Sequence, residues 1–466
     1  MWFQPISAIN FVIKRLNIKN VFINDLVYIQ ILNMENKIIH QIKQKKLSIA
    51  VIGLGYVGLP LCMRFIQAGL KVYGIDVDKK KIELLRKGKS YINDLKINKL
   101  NYFKKNKNNL SHKFDIIKNA EIIIVALPTP LKKNFKPEMK YLNNCISILK
   151  EYDLFRKIII LESTVYPGAT EKYFNNLLTN KDLKTGKDIF LGYSPERENP
   201  GDNLFTYKKT PKVISGKTLA CKKVIKAIYA HIVKKIHVAE SIKIAELSKL
   251  LENTYRSINI GFINEFKIMA DKINLNVWDV IKAAKTKNFG FVTYFPGPGI
   301  GGHCIPIDPF YLDWAIKKKN YNSKFINASK RINKEVLDWT IYKIKKLFKN
   351  KEVLKTDLLF LGITYKKNTN DIRESPSLKL FYKLYDINPK IKFHDPYIDK
   401  IEIIKNKKKF YIKSLKKFQK NLSKSTVIIG TNHDIYNYKK ILKNSKFIID
   451  TRGAYINNSE KKLFKF

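Results

Sequence analysis

At 466 residues and 45% apolar side chains the chain is long enough to bury several cores, and length alone predicts about three domains. A formal charge of +50 would ordinarily point to nucleic acid, but only nine of the 89 basic residues are arginine and the lysines run along the whole chain, among many Ile, Asn, Tyr and Phe. That is the mark of AT-rich codons, without the clustered bidentate donors of a built nucleic-acid face. Cys62, Cys145, Cys221 and Cys304 are widely spaced with no CxxC pair, which excludes a disulfide framework and a zinc knuckle, predicts no metal site, and fits a reducing cytoplasm.

Residues 1–45 are expected to form an N-terminal extension of unknown role. Lys14, Arg15, Lys19 and Asp25 interrupt its apolar runs well short of the roughly 18 residues a membrane span needs, and no small-residue cleavage site follows. Met34 is a candidate start, which would leave 1–33 as a leader without a role in the fold.

The run LSIAVIG (47–53) predicts a strand and breaks into Gly53-Leu54-Gly55-Tyr56-Val57-Gly58 before an apolar-periodic helix. A second strand, KVYGID, ends on Asp76. Strand, glycines, helix, strand and terminal acid form a dinucleotide-binding unit: Gly53 permits the tight turn, Gly55 lets backbone approach a pyrophosphate, and Gly58 lets helix and strand pack closely. A carboxylate at Asp76 accepts from a ribose diol and repels a 2′-phosphate, so the predicted cofactor is NAD, not NADP.

Strands at 120–130 and 157–164 end in Pro128-Thr129-Pro130 and Ser163-Thr164. Hydroxyls at carboxyl ends of parallel strands lie where open α/β sheets bind ligands, although helix caps and turns use the same residues. After a further strand, SPERENPGD carries Glu196 and Arg197. From 241 to 272 the apolar spacing predicts one long helix, with Lys249, Asn253 and Arg256 at i, i+4 and i+7 on one face. Gly297-Pro298-Gly299-Ile300-Gly301-Gly302-His303-Cys304 then forms a bent loop that delivers a thiol. A buried cysteine beside a turn is the ordinary alternative. Strands at 356–366, 390–398, 425–434 and 446–455 predict a second parallel sheet. The fold class is α/β, with two Rossmann-like open parallel-sheet domains joined by a long central helix and a ligand cleft between them.

The ordered segments GLGYVGLPL, LPTPL, ESTVYPGATE, SPERENPGD, AELSKLLENTYR, GPGIGGHCIPIDPFYL, ITYKKNTNDIRESPS and DTRG closely resemble the nucleotide-sugar 6-dehydrogenases, the UDP-glucose and GDP-mannose dehydrogenase family. Lys287 to Phe291 and Gly302-His303-Cys304 resemble the branch acting on UDP-N-acetylglucosamine, and the His-Pro-Arg usual near 288–290 in the mannosamine branch is absent. The resemblance implies an NAD-binding domain over 46–240, a linking and dimerisation region with the cysteine loop over 241–335, and a UDP-sugar-binding domain over 336–466.

It also implies roles. Cys304 would capture a C6 aldehyde as a thiohemiacetal and carry the thioester, with Lys249 and Asn253 stabilising oxyanions, Lys249 also moving protons, and Asp308 orienting a water or relaying a proton. Glu196 and Thr164 would direct the hydrolytic water. Gly53, Gly55, Val57, Gly58, Asp76, Lys81, Thr129, Thr164 and Arg373 fall with the cofactor, with Lys81 standing where many members have arginine. Glu196, Arg197, Lys249, Asn253, Arg256, Gly299, Gly301 and Lys366 fall with the substrate. The implied enzyme is a cytoplasmic homodimer that oxidises a UDP-N-acetylhexosamine for surface polysaccharide, with no specific nucleic-acid or membrane partner. Alternatives are oxidation of UDP-glucose or UDP-N-acetylmannosamine, a hydroxy-acid dehydrogenase with no use for Cys304, and a non-catalytic basic binding protein on the same scaffold.

Overall fold

A computed structural model describes residues 34–92, 100–179, 181–197, 210–348, 357–405 and 408–466. The leader proposed for 1–33 lies outside them. A helix over 34–43 (α1) packs Ile38 and Ile42 into the core of the first domain, pairs Glu35 with Lys223 at 3.0 Å, and offers the Ile42 carbonyl to the His231 ring at 2.9 Å. This part of the 1–45 extension is therefore built into the fold.

The first domain is organised by β1 (Ile49–Ile52), α2 (Gly58–Gln67), β2 (Val72–Ile75), α3 (Lys79–Arg86), β3 (Leu110–Ser111), β4 (Ile122–Val125), α4 (Lys140–Leu149), β5 (Ile158–Leu161), α5 (Ala169–Thr179), β6 (Phe190–Tyr193), β7 (Lys212–Gly216), α6 (Leu219–Tyr229) and β8 (Ile236–Val238). The strands form one sheet in the order β3-β2-β1-β4-β5-β6-β7-β8. The central strands IAVI, IIIV and IIIL are buried along their whole length because helices cover both faces, and such strands read as unbroken apolar runs. Alternate residues feed two cores: Ile49 and Val51 pack with α2 and α6, Ala50 and Ile52 with α4 and α5. Pairing is parallel from β3 to β6, so those strands share one carboxyl edge. β7 turns back antiparallel to β6, and β8 follows β7. That reversal brings the start of β7 to the same edge.

α7 (Ile242–Lys272) is the expected long helix, begun by the Ser241 hydroxyl accepting from the Ile244 N–H at 3.2 Å. α8 (Val277–Ala284) and α9 (Asp308–Lys317) follow, and then a second long helix, α10 (Lys324–Phe348), which the sequence reading did not single out, runs against α7. Gly261 marks the closest approach: a Cβ there would meet Ser329 Oγ at 2.7 Å, and that hydroxyl donates to the Ser257 carbonyl at 2.9 Å. A helix pair therefore joins the domains, stiffer than one helix.

The second domain holds β9 (Asp357–Leu361), α11 (Pro376–Ile387), β10 (Lys392–His394), β11 (Lys400–Lys405), β12 (Lys408–Lys413), β13 (Ser425–Ile429), β14 (Phe447–Asp450) and β15 (Leu463–Lys465). The order β10-β9-β13-β14-β15 is parallel throughout, and β11 with β12 forms a separate antiparallel ladder.

Candidate functional site

The turn after β1 is shaped for close backbone approach. Gly53 sits at φ +94°, and a Cβ there would lie 2.5 Å from the Ala126 carbonyl oxygen. A Cβ on Gly58 would lie 1.8 Å from the Gly53 oxygen, so α2 can start only at a glycine. A Cβ on Gly55 meets no protein atom within 4 Å. Packing does not require that glycine, whereas a diphosphate laid on the helix N-terminus does. Asp76, at the end of β2, accepts from the Leu54 and Asp78 N–H groups at 3.0 Å each and from Lys81 Nζ at 3.1 Å. These contacts fix its carboxylate beside the glycines and leave acceptor capacity for a ribose diol. Val57 is half-buried at the start of α2. Thr129 Oγ1 donates to the Thr164 carbonyl at 2.7 Å, tying the ends of β4 and β5 together. The residues present thus fit NAD.

Across the cleft, Arg373 stacks over the Tyr56 ring at 4.9 Å and is gripped by Asp371 through Nε at 3.0 and 3.1 Å and Nη2 at 2.6 Å. Its carbonyl accepts from the Gly302 N–H at 3.1 Å. The second domain thereby holds the cysteine loop against the glycine turn. Lys366 is half-buried, and Thr364 and Thr369 donate to its carbonyl.

Cys304 lies four residues before Asp308, the first residue of α9. Its carbonyl accepts from the Ile307 and Asp308 N–H groups at 3.1 and 2.8 Å. Asp308 is buried, and its carboxylate accepts from Asn253 Nδ2 at 2.5 Å. Lys249, one turn earlier on α7, is buried on the same face. Burial pushes the Asp308 carboxyl up to about 6, against the opposing pull of Lys249 and the Asn253 amide. Cys304 keeps solvent-accessible surface, with protein atoms crowded around it. Desolvation, with Asp308 next, raises its thiol to about 11 while Lys249 and Arg373 pull it down and Glu196 adds to the rise. The charges of Asp308, Lys249 and Glu196 thus all reach the thiol, and Asn253 holds Asp308 beside it. Burial also lowers the His303 imidazole, with Arg373 adding to the effect. A cavity lined by His394, Phe418, Tyr436 and Lys440 opens elsewhere, at the β10 edge of the second sheet.

The models of the UDP-glucose/GDP-mannose dehydrogenase family match the chain as NAD-binding domain (47–233), central domain (243–335) and UDP-binding domain (359–457). The chain belongs to this family. It is an NAD-dependent UDP-sugar dehydrogenase. It is 34% identical over 423 residues to protein CapL of Staphylococcus aureus, covering 89% of this chain and 97% of that protein. It is also 34% identical over 366 residues to the UDP-N-acetyl-D-glucosamine 6-dehydrogenase of Pseudomonas aeruginosa, covering 76% of this chain and 84% of that protein. The solved UDP-D-ManNAc dehydrogenase of Pyrococcus horikoshii superposes with a TM-score of 0.79 at 27% identity, covering 90% of this chain and 99% of that one.

Several residues of this UDP-sugar dehydrogenase sit differently from expectation. Arg256 is exposed, with its charge near Tyr294, while Lys249 and Asn253 are buried. Arg197 is engaged by Glu252 at 2.8 Å and by the Pro211 carbonyl at 2.7 Å. Gly301 is dictated by packing, since its Cβ would lie 2.6 Å from Pro376 Cδ and 2.8 Å from Tyr365 Cβ. Gly299, at φ +140°, would set its Cβ 3.3 Å from both the Asn333 oxygen and Pro376. These glycines therefore seat the loop on the second domain. Sequence reasoning passed over Lys267, buried in α7 with Nζ donating to the Gly297 carbonyl at 3.0 Å, because it falls inside an apolar-periodic helix. Arg452 was visible only within DTRG. Its Nη1 lies 2.8 Å from where a Gly297 Cβ would be.

Proposed function

We propose that the chain oxidises the C6 hydroxyl of a UDP-N-acetylhexosamine to the carboxylate, with UDP-N-acetylglucosamine the favoured substrate, and that Cys304 carries the intermediate. The observation that carries this reading is the convergence of Lys249, Asn253 and Asp308 on the cysteine loop, opposite the glycine turn. The segment Lys287 to Phe291 supports the glucosamine epimer. The Pyrococcus horikoshii dehydrogenase, named for the mannosamine epimer, supports UDP-N-acetylmannosamine as the second reading.

Bound NAD+ supplies the hydride acceptor for each of two oxidations. Gly53, Gly55, Val57 and Gly58 would hold its diphosphate, Asp76 and Lys81 its ribose, and Thr129, Thr164 and Arg373 would flank it. Lys249 and Asn253 donate to the C6 oxygen as it gains negative charge, the arrangement that stabilises oxyanions most when water is excluded. Asp308, ionised above about 6, takes the proton of the C6 hydroxyl as the carbon gives up its hydride. The Cys304 sulfur bonds to the aldehyde carbon, the carbonyl electrons move onto oxygen where the same donors meet the charge, and the thiol proton passes to that oxygen to leave a thiohemiacetal. After the second oxidation the carbon is a thioester, and Glu196 with Thr164 directs a water onto it. The C–S bond breaks and the acid leaves. Lys366, Arg197 and Arg256 contact the sugar nucleotide, and Gly299 and Gly301 shape the loop that borders it.

The exposed residues Ile244, Leu247, Leu251, Tyr255, Phe262 and Met269 fall at helical spacing along α7, which supports a homodimer formed through this face. Among the described residues no helix is long and apolar enough to cross a membrane, and the proposed setting is the cytoplasm, in synthesis of surface polysaccharide. The test is kcat/KM measured separately on UDP-N-acetylglucosamine, UDP-N-acetylmannosamine, UDP-N-acetylgalactosamine and UDP-glucose. The glucosamine sugar is expected to lead by at least tenfold; preference for UDP-glucose would overturn the acetamido assignment.

A further inference from the structure

Next to Glu196 lie two buried charges, Glu162 and Lys212, that the mechanism above leaves without a task. Glu162 follows the last residue of β5, Glu196 lies just beyond β6, and Lys212 opens β7. Because β7 runs antiparallel to β6, its first residue comes to the carboxyl edge of the sheet. A parallel β7 would have put Lys212 at the opposite edge. Lys212 is 3% exposed and Glu162 is 2% exposed. Lys212 Nζ donates to Glu162 Oε2 at 3.2 Å and to the Pro195 carbonyl at 3.1 Å, and lies 3.7 Å from Glu196 Oε2. It also sits 5.2 Å from the centroid of the Tyr229 ring, whose hydroxyl donates to Glu162 Oε1.

Burying an ammonium and a carboxylate seldom adds net stability over an apolar pair of the same volume. The geometry, however, gives this lysine a specific effect. It grips the carbonyl of the residue before Glu196 and approaches the Glu196 carboxylate itself, while Glu162 and Tyr229 hold the lysine from behind. Glu196 in turn is close enough to Cys304 to act on its thiol, and its Oε1 accepts from the Arg197 N–H at 2.9 Å. Lys212 thus ties the sheet edge to one carboxylate whose charge reaches the nucleophile.

We propose that Lys212, anchored by Glu162 and Tyr229, is a positioning residue that aims Glu196 at the Cys304 thioester for its hydrolysis. The proposal rests on the assignment of Glu196 to that step. In the step water oxygen bonds to the thioester carbon, its proton passes to the Glu196 carboxylate, the C–S bond breaks, and sulfur leaves as thiolate. No electrons are transferred, so the network acts after both oxidations and leaves them intact. Removing the lysine frees Glu196 from its aim. Removing the Glu162 charge leaves the ammonium wholly to Glu196 and draws that carboxylate away from water. Both changes therefore slow the same step.

The experiment compares Lys212→Met, the isosteric Glu162→Gln, and Glu196→Gln, each with NAD+ and either UDP-N-acetylglucosamine or UDP-N-acetylmannosamine. Stopped-flow absorbance reads NADH, and quenched samples are digested to weigh the Cys304 peptide. Lys212→Met and Glu162→Gln are expected to keep the rapid NADH burst, lose roughly 10- to 100-fold in steady-state rate, and accumulate an acyl adduct on Cys304. Lys212→Arg should recover part of the rate and shrink the adduct. Wild-type turnover in the first two variants, or a burst and rate that fall together with no adduct, would overturn the proposal while Glu196→Gln still built its adduct. Failure of Glu196→Gln itself to build an adduct would instead overturn the assignment of Glu196 to hydrolysis.

Discussion

The Cys304 thiol is held high in the free enzyme, and this has a measurable consequence. Desolvation and Asp308 place it at about 11, against an ordinary 9.0. At pH 8 the thiolate fraction is then about 0.001, roughly 100-fold below that of an ordinary thiol. Each thiolate is more nucleophilic, by roughly 6- to 10-fold for a two-unit rise. The depletion wins, and alkylation by iodoacetamide at pH 8 should run about tenfold slower than for a free cysteine. The rate should climb close to tenfold per pH unit through pH 9.5 without a plateau. Cys304 is exposed while Cys62, Cys145 and Cys221 are buried, so peptide mass spectrometry reads one site. Asp308→Asn removes the largest raising charge and should speed alkylation at fixed pH. A plateau centred at or below pH 8.5, or slower labelling in Asp308→Asn, would refute the reasoning.

Lys249→Ala and Asn253→Ala should each lower kcat by roughly 100- to 1000-fold with smaller changes in KM, since both donors act where charge develops; steady-state kinetics decides. Gly58→Ala puts a Cβ 1.8 Å from the Gly53 oxygen, so thermal unfolding should show a loss on the order of 1–3 kcal/mol, and calorimetry should show NAD binding weakened at least tenfold. Lys267, buried and next to Arg452, is lowered to about 7. Between about pH 7 and 10.5 the unfolded chain holds a proton that the native lysine has lost, so stability from this group rises with pH. Lys267→Met should therefore exceed the wild type in thermal stability most at pH 6.5 and least near pH 9.5, and a gap constant with pH would count against a buried, neutralised lysine. Leu251→Glu, on the exposed α7 stripe, should yield monomers in sedimentation; an unchanged dimer would move the interface elsewhere.

The glycine turn, the parallel strands of both sheets and the long α7 helix could be read from residue order, because each rests on a local rule: unbroken apolar runs, helical spacing, or a glycine where no Cβ fits. Lys249, Asn253, Cys304 and Asp308 were likewise found through motifs. What escaped depends on contacts far apart in the chain. The α10 helix shows ordinary amphipathic spacing, and only its crossing at Gly261 makes it the second strut between domains. Lys212 lies in an undistinguished run, PKVISG, and gains meaning from the reversal of β7. Gly301 has a packing reason that residue order does not show, since a Cβ there would clash with Pro376 and Tyr365, and Gly299 sits at φ +140°. Lys81, expected beside the ribose as a substitute for arginine, is tied to Asp76 itself.

The central claim is four-electron oxidation through Cys304, and the direct measurement is NADH formed per uronic acid produced by purified enzyme, alongside Cys304→Ser. Two NADH per acid, with no acid from the serine variant while NAD binding persists, is the predicted result. One NADH per sugar with free aldehyde, or acid formed at the wild-type rate by Cys304→Ser, would contradict it.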